Sequence, residues 1–379
     1  MEKKIVSLKI PLTFLFLFLV IFCSAQKYYL FIGTYTNTGS KGIYVYDFNS
    51  KNGDAKWVSN TDSVTNPSYI TISKDQKYIY AVNETNGLAK GRVTSYSFDK
   101  RKGELHFLNT TFTGGDDPCY ISTSSDNKWL AVANYTSGSA VFFPINKNGT
   151  VNPYTQLIHD SIYRDPGDNA TPHVHETVFS SDEKYLITPD LGLDKLMIYH
   201  FDPSSEQPFT LSSPSSVASV KGSGPRHIVF STNKKFVYLI HELSGTVTTY
   251  RYDNGNFTQI QDLLTFPAGF TGEKSGGEIK ISPDGKFLYT SDRGDLNIIT
   301  IFSIDPVSGM LTLKGTQSTF GSHPRYFMID PTGNYLLAAN QDSESIIIFK
   351  VNKKTGLLTN TGKEIHIPRP VCMQMILKK

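Results

Sequence analysis

The sequence feature that most constrains the fold is a segment of eleven residues that recurs six times along the chain. Each copy begins with Ser or Asp, passes through a polar turn into an apolar run, and ends in a polar residue. The copies are SKDQKYIYAVN (73–83), SSDNKWLAVAN (124–134), SSDEKYLITPD (180–190), STNKKFVYLIH (231–241), SPDGKFLYTSD (282–292) and DPTGNYLLAAN (330–340). Their first residues lie 51, 56, 51, 51 and 48 positions apart. Self-similarity at such a period indicates a repeat architecture.

The residues between the copies indicate short β-strands. Runs rich in Val, Ile, Tyr, Phe and Thr alternate with clusters of Gly, Asn, Asp and Ser, and no sustained helical periodicity follows residue 25. A short run, often led by Pro, precedes each copy, and a further strand follows it, as at Ile298–Phe302. Four strands in about fifty residues, repeated around a ring, predict the blades of a β-propeller.

The two ends of the chain supply a seventh blade. Pro370–Met373 resembles the opening strand of a repeat, while Tyr29–Ile32 and the following Gly33–Thr36 resemble the strand and turn around Ala133–Thr136. Pairing the two ends removes two exposed sheet edges and holds both termini in place. The sequence therefore predicts an all-β fold, a single seven-bladed β-propeller domain over residues 26–379, with its ring closed by strands from both termini.

The N-terminal residues have the three parts of a secretory signal peptide. A basic stretch precedes an uncharged apolar run, Ile10–Cys23, and small residues follow. This run is shorter than the roughly 20 residues that a membrane-spanning helix needs. We therefore predict a signal peptide in residues 1–25, export to the periplasm or the extracellular space, and no stable membrane insertion after cleavage. A lipid anchor at Cys23 and a retained membrane anchor are the alternatives.

The charge balance argues against nucleic acid as a partner. The chain has 37 Lys and Arg residues against 34 Asp and Glu, and removing residues 1–25 leaves 34 against 33. A nearly neutral protein lacks the positive surface that binding to a phosphate backbone requires. The two cysteines that remain, Cys119 and Cys372, are 253 residues apart. We interpret them as buried apolar residues and not as a disulfide framework.

Superposing the six copies aligns two columns of polar residues. The column five residues before the start of each copy holds Ser68, Cys119, His175, Arg226, Gly277 and Arg325, and the column eleven residues after the start holds Glu84, Tyr135, Leu191, Glu242, Arg293 and Gln341. Structural positions should repeat their residue, as Asn83, Asn134 and Asn340 do, and we interpret those three as turn residues. Slots that hold different charged residues in neighbouring blades instead predict a site at the central mouth, on the side of blades three to five.

Two groups of candidate site residues follow from these columns and their neighbours. The residues predicted to be catalytic are His173, His175, Arg226, Glu242 and Arg293, and those predicted to bind substrate are Glu278, Arg325 and Gln341. Structural roles are the alternatives: one histidine could cap a loop, Arg226 and Glu242 could form an interblade ion pair, and Arg325 could brace a blade joint.

Several motifs of other site types are absent from the sequence. No Gly-x-Ser-x-Gly nucleophile elbow occurs. The segment around His241-Glu242 lacks the second His of a helical zinc site, and no third ligand is obvious near His173 and His175. We therefore predict no metal and no cofactor. The Gly-Trp-Asp signature of interaction propellers is also missing, which weakens a purely protein-docking role.

Five motifs together resemble the seven-bladed lactonase family. They are Pro-His-x-His (172–175), Gly-Pro-Arg-His (224–227), His-Glu-Leu-Ser (241–244), Ile-Ser-Pro-Asp-Gly-Lys-Phe-Leu-Tyr-x-Ser-x-Arg-Gly (281–294), and Asp-Pro-Thr-Gly with Ala-Asn-Gln (330–341). This family contains bacterial 6-phosphogluconolactonases of the propeller type and fungal carboxymuconate cycloisomerases. The resemblance covers nearly all of residues 27–379, and it implies a carboxylic ester hydrolase that acts on a small-molecule lactone or carboxylate.

The resemblance also implies roles for individual residues. The active-site His, two Arg and Glu of the fungal relatives correspond to His173 or His175, Arg226, Glu242 and Arg293. The two arginines would hold an anionic substituent and stabilise charge on the carbonyl oxygen. Glu242 would activate water, and a histidine would protonate the departing ring oxygen.

The substrate and the reaction type keep alternatives at this stage. The best-known substrate of the family is a phosphorylated cytoplasmic metabolite, whereas this chain is predicted to be exported. An extracytoplasmic sugar or aromatic lactone would resolve the conflict. A propeller that only binds a carbohydrate or protein ligand, and a cycloisomerase that acts on a muconate, are the other hypotheses. The sequence leaves the oligomeric state open.

Overall fold

Seven four-stranded antiparallel sheets, arranged in a ring, form the fold. The computed structural model describes residues 26–62, 64–165, 167 and 169–378, and within these ranges it contains 28 strands and one short 3₁₀ turn. The predicted all-β, seven-bladed propeller is therefore confirmed. The predicted signal peptide, residues 1–25, lies outside the described residues. No helix in the described ranges is long and apolar enough to cross a membrane.

The strands follow the predicted repeat, four to a blade. The chain begins with β1 (Lys27–Thr34), β2 (Tyr44–Asn49) and β3 (Asp54–Asn60), which form blade 7 together with the last strand, β28 (Pro370–Lys378). Blade 1 contains β4 (Ile70–Ile72), β5 (Tyr78–Asn83), β6 (Arg92–Asp99) and β7 (Glu104–Phe112), and blade 2 contains β8 (Pro118–Thr123), β9 (Trp129–Asn134), β10 (Ser139–Pro144) and β11 (Gln156–His159). A 3₁₀ turn (Asp160–Tyr163) leads to blade 3, which contains β12 (Val178–Phe179), β13 (Tyr185–Asp190), β14 (Lys195–Phe201) and β15 (Phe209–Ala218). Blade 4 contains β16 (Pro225–Phe230), β17 (Phe236–His241), β18 (Thr246–Asp253) and β19 (Asn256–Leu264), and blade 5 contains β20 (Gly276–Ile281), β21 (Phe287–Asp292), β22 (Ile298–Ile304) and β23 (Leu311–Ser318). Blade 6 contains β24 (Pro324–Ile329), β25 (Tyr335–Asn340), β26 (Ser345–Val351) and β27 (Leu358–His366).

The two ends of the chain close the ring, as predicted. Strand β28 is the innermost strand of blade 7 and pairs with β1 along its length, from Lys27 opposite Lys378 to Thr34 opposite Pro370. Leu30, Phe31 and Ile32 in β1 are fully buried. Burial of apolar surface contributes about 25 cal/mol per Å², so these side chains stabilise the closed ring.

A β-bulge interrupts the innermost strand of most blades. In blade 2, Pro118 pairs with Asn134 while Tyr120 pairs with Ala133, so Cys119 has no partner residue. The same register shift occurs in blades 4 to 7. Because a bulge bends its strand and re-aims the extra side chain, the first polar column turns towards the axis at one end of the propeller.

A hydrogen bond between two backbone groups fixes the second polar column in all seven blades. In each blade the backbone N–H group of the second-column residue is the donor. The acceptor is the carbonyl oxygen of the residue two positions before the first-column residue of the same blade, as when Glu242 donates to Gly224. The donors are Tyr35, Glu84, Tyr135, Leu191, Glu242, Arg293 and Gln341, and the N–O distances lie between 2.7 and 3.1 Å. In five blades the accepting residue has a positive φ, as at Asn66, Asp117, Gly224, His323 and Arg369. Both columns therefore meet at the same end of the ring.

The repeated asparagines differ from their predicted role as turn residues. Asn83, Asn134 and Asn340 are buried at the ends of second strands. Their Nδ2 groups donate to the carbonyl oxygens of residues 65, 113 and 319. The amide therefore satisfies a buried carbonyl of the incoming loop, and this need explains the repetition better than turn formation does.

Blade 3 departs from the common pattern at its inner edge. Its first strand, β12, has only two residues, and an isolated bridge joins Val174 to Asp190. His175 and Glu176 therefore lie on a non-strand segment next to the axis. The longer spacing between the second and third copies arises before this segment, because His175 lies five residues before its copy, as the first-column residues of the other blades do.

Ring closure predicts a strong dependence of stability on β28. A chain that ends at Arg369 exposes the edge of β1 and should lose its cooperative thermal transition, because the ring stays open and the apolar residues of blade 7 become exposed. Circular dichroism melts would measure this, with a chain that ends at Leu377 as the control. Equal cooperative melting of both chains would contradict the role of β28.

Candidate active site

The first polar column lines a cavity on the propeller axis. Its walls include Ser68, Cys119, His175, Arg226, Arg325 and, from blade 7, Val371. The volume that the centre of a water molecule can occupy in this cavity is about 10 Å³, so the cavity has room for a single water molecule. A larger ligand would therefore bind above it, at the mouth that the second column surrounds.

Glu242 lies between two arginines at this mouth. Its Oε2 atom accepts from Arg226 Nε at 3.0 Å and lies 2.5 Å from Arg293 Nη2. Arg226 Nη1 also donates to the carbonyl oxygen of Gly277. The guanidinium groups of Arg226 and Arg293 are almost fully buried, whereas the Glu242 side chain keeps 18% of its surface exposed. The carboxylate thus faces the mouth while the arginines orient it from behind.

The electrostatics of this cluster keep Glu242 ionised. Burial alone would raise the pKa of Glu242, but Arg293 and Arg226 outweigh it and lower the pKa below its ordinary value. Burial lowers the pKa of Arg293 to about 9, although Glu242 opposes the shift. At neutral pH the cluster therefore holds one carboxylate and two guanidinium ions, with a net positive charge towards a ligand.

His175 is the histidine that the structure brings to Glu242. Its Nε2 atom lies 3.8 Å from Glu242 Oε2, and its Nδ1 atom lies 4.0 Å from Cys119 Sγ. Burial lowers the pKa of His175 well below its ordinary value, and the positive charge of Arg226 lowers it further. The imidazole is therefore neutral. A neutral imidazole beside an ionised carboxylate can accept a proton and pass it on.

His173 lies at the rim and not beside Glu242. Its ring stacks on Tyr135 at 4.6 Å between centroids, and its Nδ1 atom donates to the Tyr135 carbonyl oxygen at 3.1 Å. Within the described residues, no hydrogen bond or ion pair joins His173 to Glu242. The geometry therefore favours His175 for proton transfer and a supporting place for His173.

A pair of buried carboxyl groups holds the backbone that carries these histidines. Asp190 Oδ1 accepts from the N–H groups of His173, Gly192 and Leu193, each at 2.9 Å. Asp160 accepts from the Tyr199 hydroxyl at 2.9 Å and contacts Asp190 through its carboxyl group. Burial, and then Asp190, raise the pKa of Asp160 well above its ordinary value. We interpret the pair as two carboxyls that share one proton.

The opposite side of the mouth holds Arg325, from the first column. Its guanidinium lies over the Tyr35 ring, 5.6 Å from the centroid, and Arg369 lies over the same ring at 5.5 Å. Burial raises the pKa of Tyr35, so its hydroxyl remains protonated and donates to Glu84 Oε1 at 2.8 Å. Gln341 is buried beside this group, and its Nε2 donates to Asp342 at 2.8 Å.

Glu278 lies one layer deeper than the mouth. Its Oε1 atom accepts from His227 Nδ1 at 3.1 Å and lies 3.2 Å from Lys280 Nζ. Burial would raise the pKa of Glu278, but Lys280 and His227 lower it to about 2. Nearby Glu176 accepts from the Ile228 N–H, and burial raises its pKa to about 8. The structure thus places Glu278 in a buried network that reaches the predicted catalytic residues through His227, whose ring lies 3.2 Å from Arg226 Nη1.

The sequence-based selection missed several residues around this mouth. Ser68, Cys119 and Glu84 stood in the two columns, but their polar groups were not selected. Tyr35 is the blade 7 counterpart of the second column, and it lay outside the six aligned copies. Among the residues that the structure describes, no group of three or more His, Cys, Asp or Glu side chains is arranged to hold a metal ion.

Comparisons with known proteins show which family model and which solved structures this chain is similar to. The model of the family described as "Lactonase, 7-bladed beta-propeller" matches residues 29–375. The chain is similar to a 6-phosphogluconolactonase of Formosa agariphila, with 36% identity over 91% of this chain and 99% of that protein. It is similar to a 6-phosphogluconolactonase of Bacillus subtilis, with 32% identity over 92% and 99%. The structure of a periplasmic gluconolactonase of Pseudomonas aeruginosa matches with a TM-score of 0.87 and 36% identity, over 92% of this chain and 99% of that chain.

The shared proton of Asp160 and Asp190 predicts an unusual effect of pH on stability. The raised pKa of Asp160 means that its contribution is complete at low pH and is lost as pH rises through that pKa. An Asp160→Asn variant keeps an acceptor for Tyr199 and a donor for Asp190 without a proton to lose. We expect it to unfold at higher urea at about pH 8, with a gain of more than about 1 kcal/mol, and to show little gain at about pH 4.

The matched control for this prediction is Asp253→Asn, at an exposed carboxyl. It should leave the difference between the two pH values unchanged. An Asp160→Asn variant that loses equal stability at both pH values would contradict proton sharing.

Proposed function

The chain belongs to the seven-bladed β-propeller lactonase family, and from this premise we propose that it hydrolyses a sugar-type lactone at the central mouth. The predicted enzyme class, a carboxylic ester hydrolase, is confirmed by the family and by relatives named 6-phosphogluconolactonase. The substrate and the roles of individual residues are the proposal. The observation that carries it is the Glu242 carboxylate held between Arg226 and Arg293, with His175 within 3.8 Å.

The two arginines would act on the lactone carbonyl. Their buried guanidinium groups leave a net positive potential at the mouth, where the carbonyl oxygen gains negative charge as water attacks. Oriented donors in a site with little solvent stabilise this charge without reorganisation. Substrate polarisation by Arg226 and Arg293 is therefore the first step.

Glu242 and His175 would together accept one proton from the attacking water and later donate it to the leaving group. Water attacks the carbonyl carbon, and its proton passes to this pair. The tetrahedral intermediate then collapses, the bond between the carbonyl carbon and the ring oxygen breaks, and the pair returns the proton to the ring oxygen. The product is a hydroxy acid, which releases its carboxylic proton to solution.

The protonated state of the Cys119 thiol favours direct attack by water over a covalent mechanism that uses this cysteine. Cys119 Sγ donates to the carbonyl oxygen of His175 at 3.3 Å, and burial raises the pKa of this thiol. A thiol held protonated is a poor nucleophile, because the thiolate is the reactive form. A Cys119→Ser variant should therefore retain lactonase activity, whereas a covalent mechanism would require its loss.

We also propose that the protein acts outside the cytoplasm. The basic and apolar segments of residues 1–25 support export. A sugar lactone that reaches the periplasm would be a suitable substrate, and the similar Pseudomonas aeruginosa protein is described as periplasmic. Expression of the full chain followed by fractionation would test this location.

A direct test of the proposed function is proton release in a pH-stat from residues 26–379. The lactones would be glucono-δ-lactone, its 6-phosphate and galactonolactone, each corrected for spontaneous hydrolysis. We expect Glu242→Gln and Arg226→Ala to lower kcat/KM by about 10²- to 10³-fold, because each removes a group that acts on the transition state.

Exposed residues supply the matched controls for this test. Glu364→Gln and Arg251→Ala change residues on other strands that face solvent, and they should leave the rate unchanged. Full activity of both Glu242→Gln and Arg226→Ala would contradict the proposed mechanism. No rate above background for any lactone would favour a propeller that only binds its ligand.

The ion pairs of Glu242 predict the acid limb of the pH–rate profile. Activity should fall only below the ordinary carboxyl range, because the lowered pKa keeps Glu242 able to accept a proton. In Arg293→Met the pKa should rise, and the acid limb of kcat/KM should move up by about 1 to 3 pH units. Arg293→Lys keeps the positive charge, so the acid limb of its kcat/KM profile should lie nearer that of the wild type. An unmoved limb in Arg293→Met would exclude Glu242 as the titrating group.

A further inference from the structure

The side of the mouth opposite Glu242 carries polar groups that the proposed reaction leaves unused. We call Ser68, Glu84, Arg325 and Gln341 the far wall. They come from blades 1 and 6, which flank blade 7 and its Tyr35. Ser68 and Arg325 line the axial cavity together with His175 and Arg226, so these two members of the far wall lie next to the proposed catalytic residues.

The far wall holds buried polar atoms without partners. Ser68 Oγ, Glu84 Oε2 and Gln341 Oε1 are buried and make no hydrogen bond to any part of the chain that the structure describes. An unsatisfied buried polar atom destabilises the fold, so such atoms seldom cluster without a reason. A ligand that supplies hydrogen-bond donors and acceptors would satisfy them.

Arg325 differs from the other arginines at the mouth. Arg226 and Arg293 are both engaged by Glu242, and Arg369 Nη2 lies 3.5 Å from Asp342. Across residues 26–378, excluding the positions that are not described, no carboxylate oxygen lies within 4 Å of the Arg325 guanidinium. Its donors are therefore available to a ligand, while Tyr35 holds the planar group in place from one side.

The far wall combines a planar donor with a nearby carboxylate acceptor. Adjacent hydroxyl groups of a sugar each offer one donor and one acceptor, and guanidinium and carboxylate groups satisfy both kinds. The Tyr35 hydroxyl fixes the Glu84 carboxylate, since it donates to Oε1 and leaves Oε2 for the ligand. We infer that the far wall determines specificity by binding the hydroxyl groups of a neutral, polyhydroxylated lactone.

The same arrangement disfavours a phosphorylated substrate. A phosphate group carries up to two negative charges and needs donors on several sides. At the far wall it would meet the Glu84 carboxylate beside a single unengaged guanidinium. The inference rests on the proposed lactonase function, and it adds that the neutral sugar lactone is preferred to its 6-phosphate.

The test compares substrates with and without hydroxyl groups. Wild type, Glu84→Gln and Arg325→Met would be assayed with glucono-δ-lactone, its 6-phosphate and δ-valerolactone. We expect both variants to lose about 10- to 200-fold in kcat/KM, mainly through KM, with glucono-δ-lactone, because each removes hydrogen bonds of about 1.5 to 3 kcal/mol. Both should stay within a few-fold of wild type with δ-valerolactone, which has no hydroxyl group to bind.

Three kinetic outcomes would overturn the inference. Equal losses with the two unphosphorylated lactones would make the far wall structural or catalytic. Unchanged kinetics with glucono-δ-lactone would remove it from substrate binding. A higher kcat/KM for the 6-phosphate in wild type would contradict the preference for a neutral ring. Arg101→Met and Glu364→Gln, at exposed positions, are the controls, and thermal melts check that each variant folds.

A binding measurement separates this inference from the proposed function. Wild type that turns over neither glucono-δ-lactone nor δ-valerolactone would count against the lactonase proposal alone. Calorimetric titration with gluconate, and with hexanoate as the hydroxyl-free acid, then tests the far wall. Binding of gluconate only, lost in Glu84→Gln and Arg325→Met, supports the inference. No binding of gluconate to wild type, or binding that survives in both variants, overturns it.

Discussion

The hydrogen bond between the second column and the residue before each inner strand is the constraint on which the rest of the site depends. It occurs once in every blade, and together with the bulge that most blades contain it brings two residues of each blade to the same end of the axis. Because backbone atoms make this bond, the side chains it positions are free to vary. The propeller can thus keep its geometry while each blade contributes a different chemical group.

The chemistry of the mouth follows from an unequal distribution of charge around the ring. On one side, a single carboxylate is shared by two buried arginines, which keeps Glu242 ionised and leaves a net positive charge for a carbonyl oxygen. On the other side, an arginine and Glu84 stand near each other without forming an ion pair, so both can bind a ligand. The first arrangement is the basis of the proposed catalysis, and the second is the basis of the inferred substrate recognition.

The repeat allowed much of this to be predicted from the sequence. Once the copies were aligned, the columns predicted that Arg226, Glu242 and Arg293 would meet, because equivalent positions in a ring face one axis. The depth of Glu278 could not be predicted in the same way, since a single residue beyond a bulge lies in a different layer. The Asp160–Asp190 contact gave no sequence signal, because it joins a long irregular connection to a strand end.

The closure of the ring by β28 has a consequence for the order of events during synthesis. Arg325, Gln341 and the strand that supports Tyr35 all belong to the last blades to be completed, and Tyr35 itself waits near the N-terminus for its partner strand. Nearly the entire chain must therefore be synthesised before the complete mouth can form. Chains that end between Arg293 and β28 contain the residues of the Glu242 cluster but not a closed ring, so the activity proposed for this site belongs to finished molecules only.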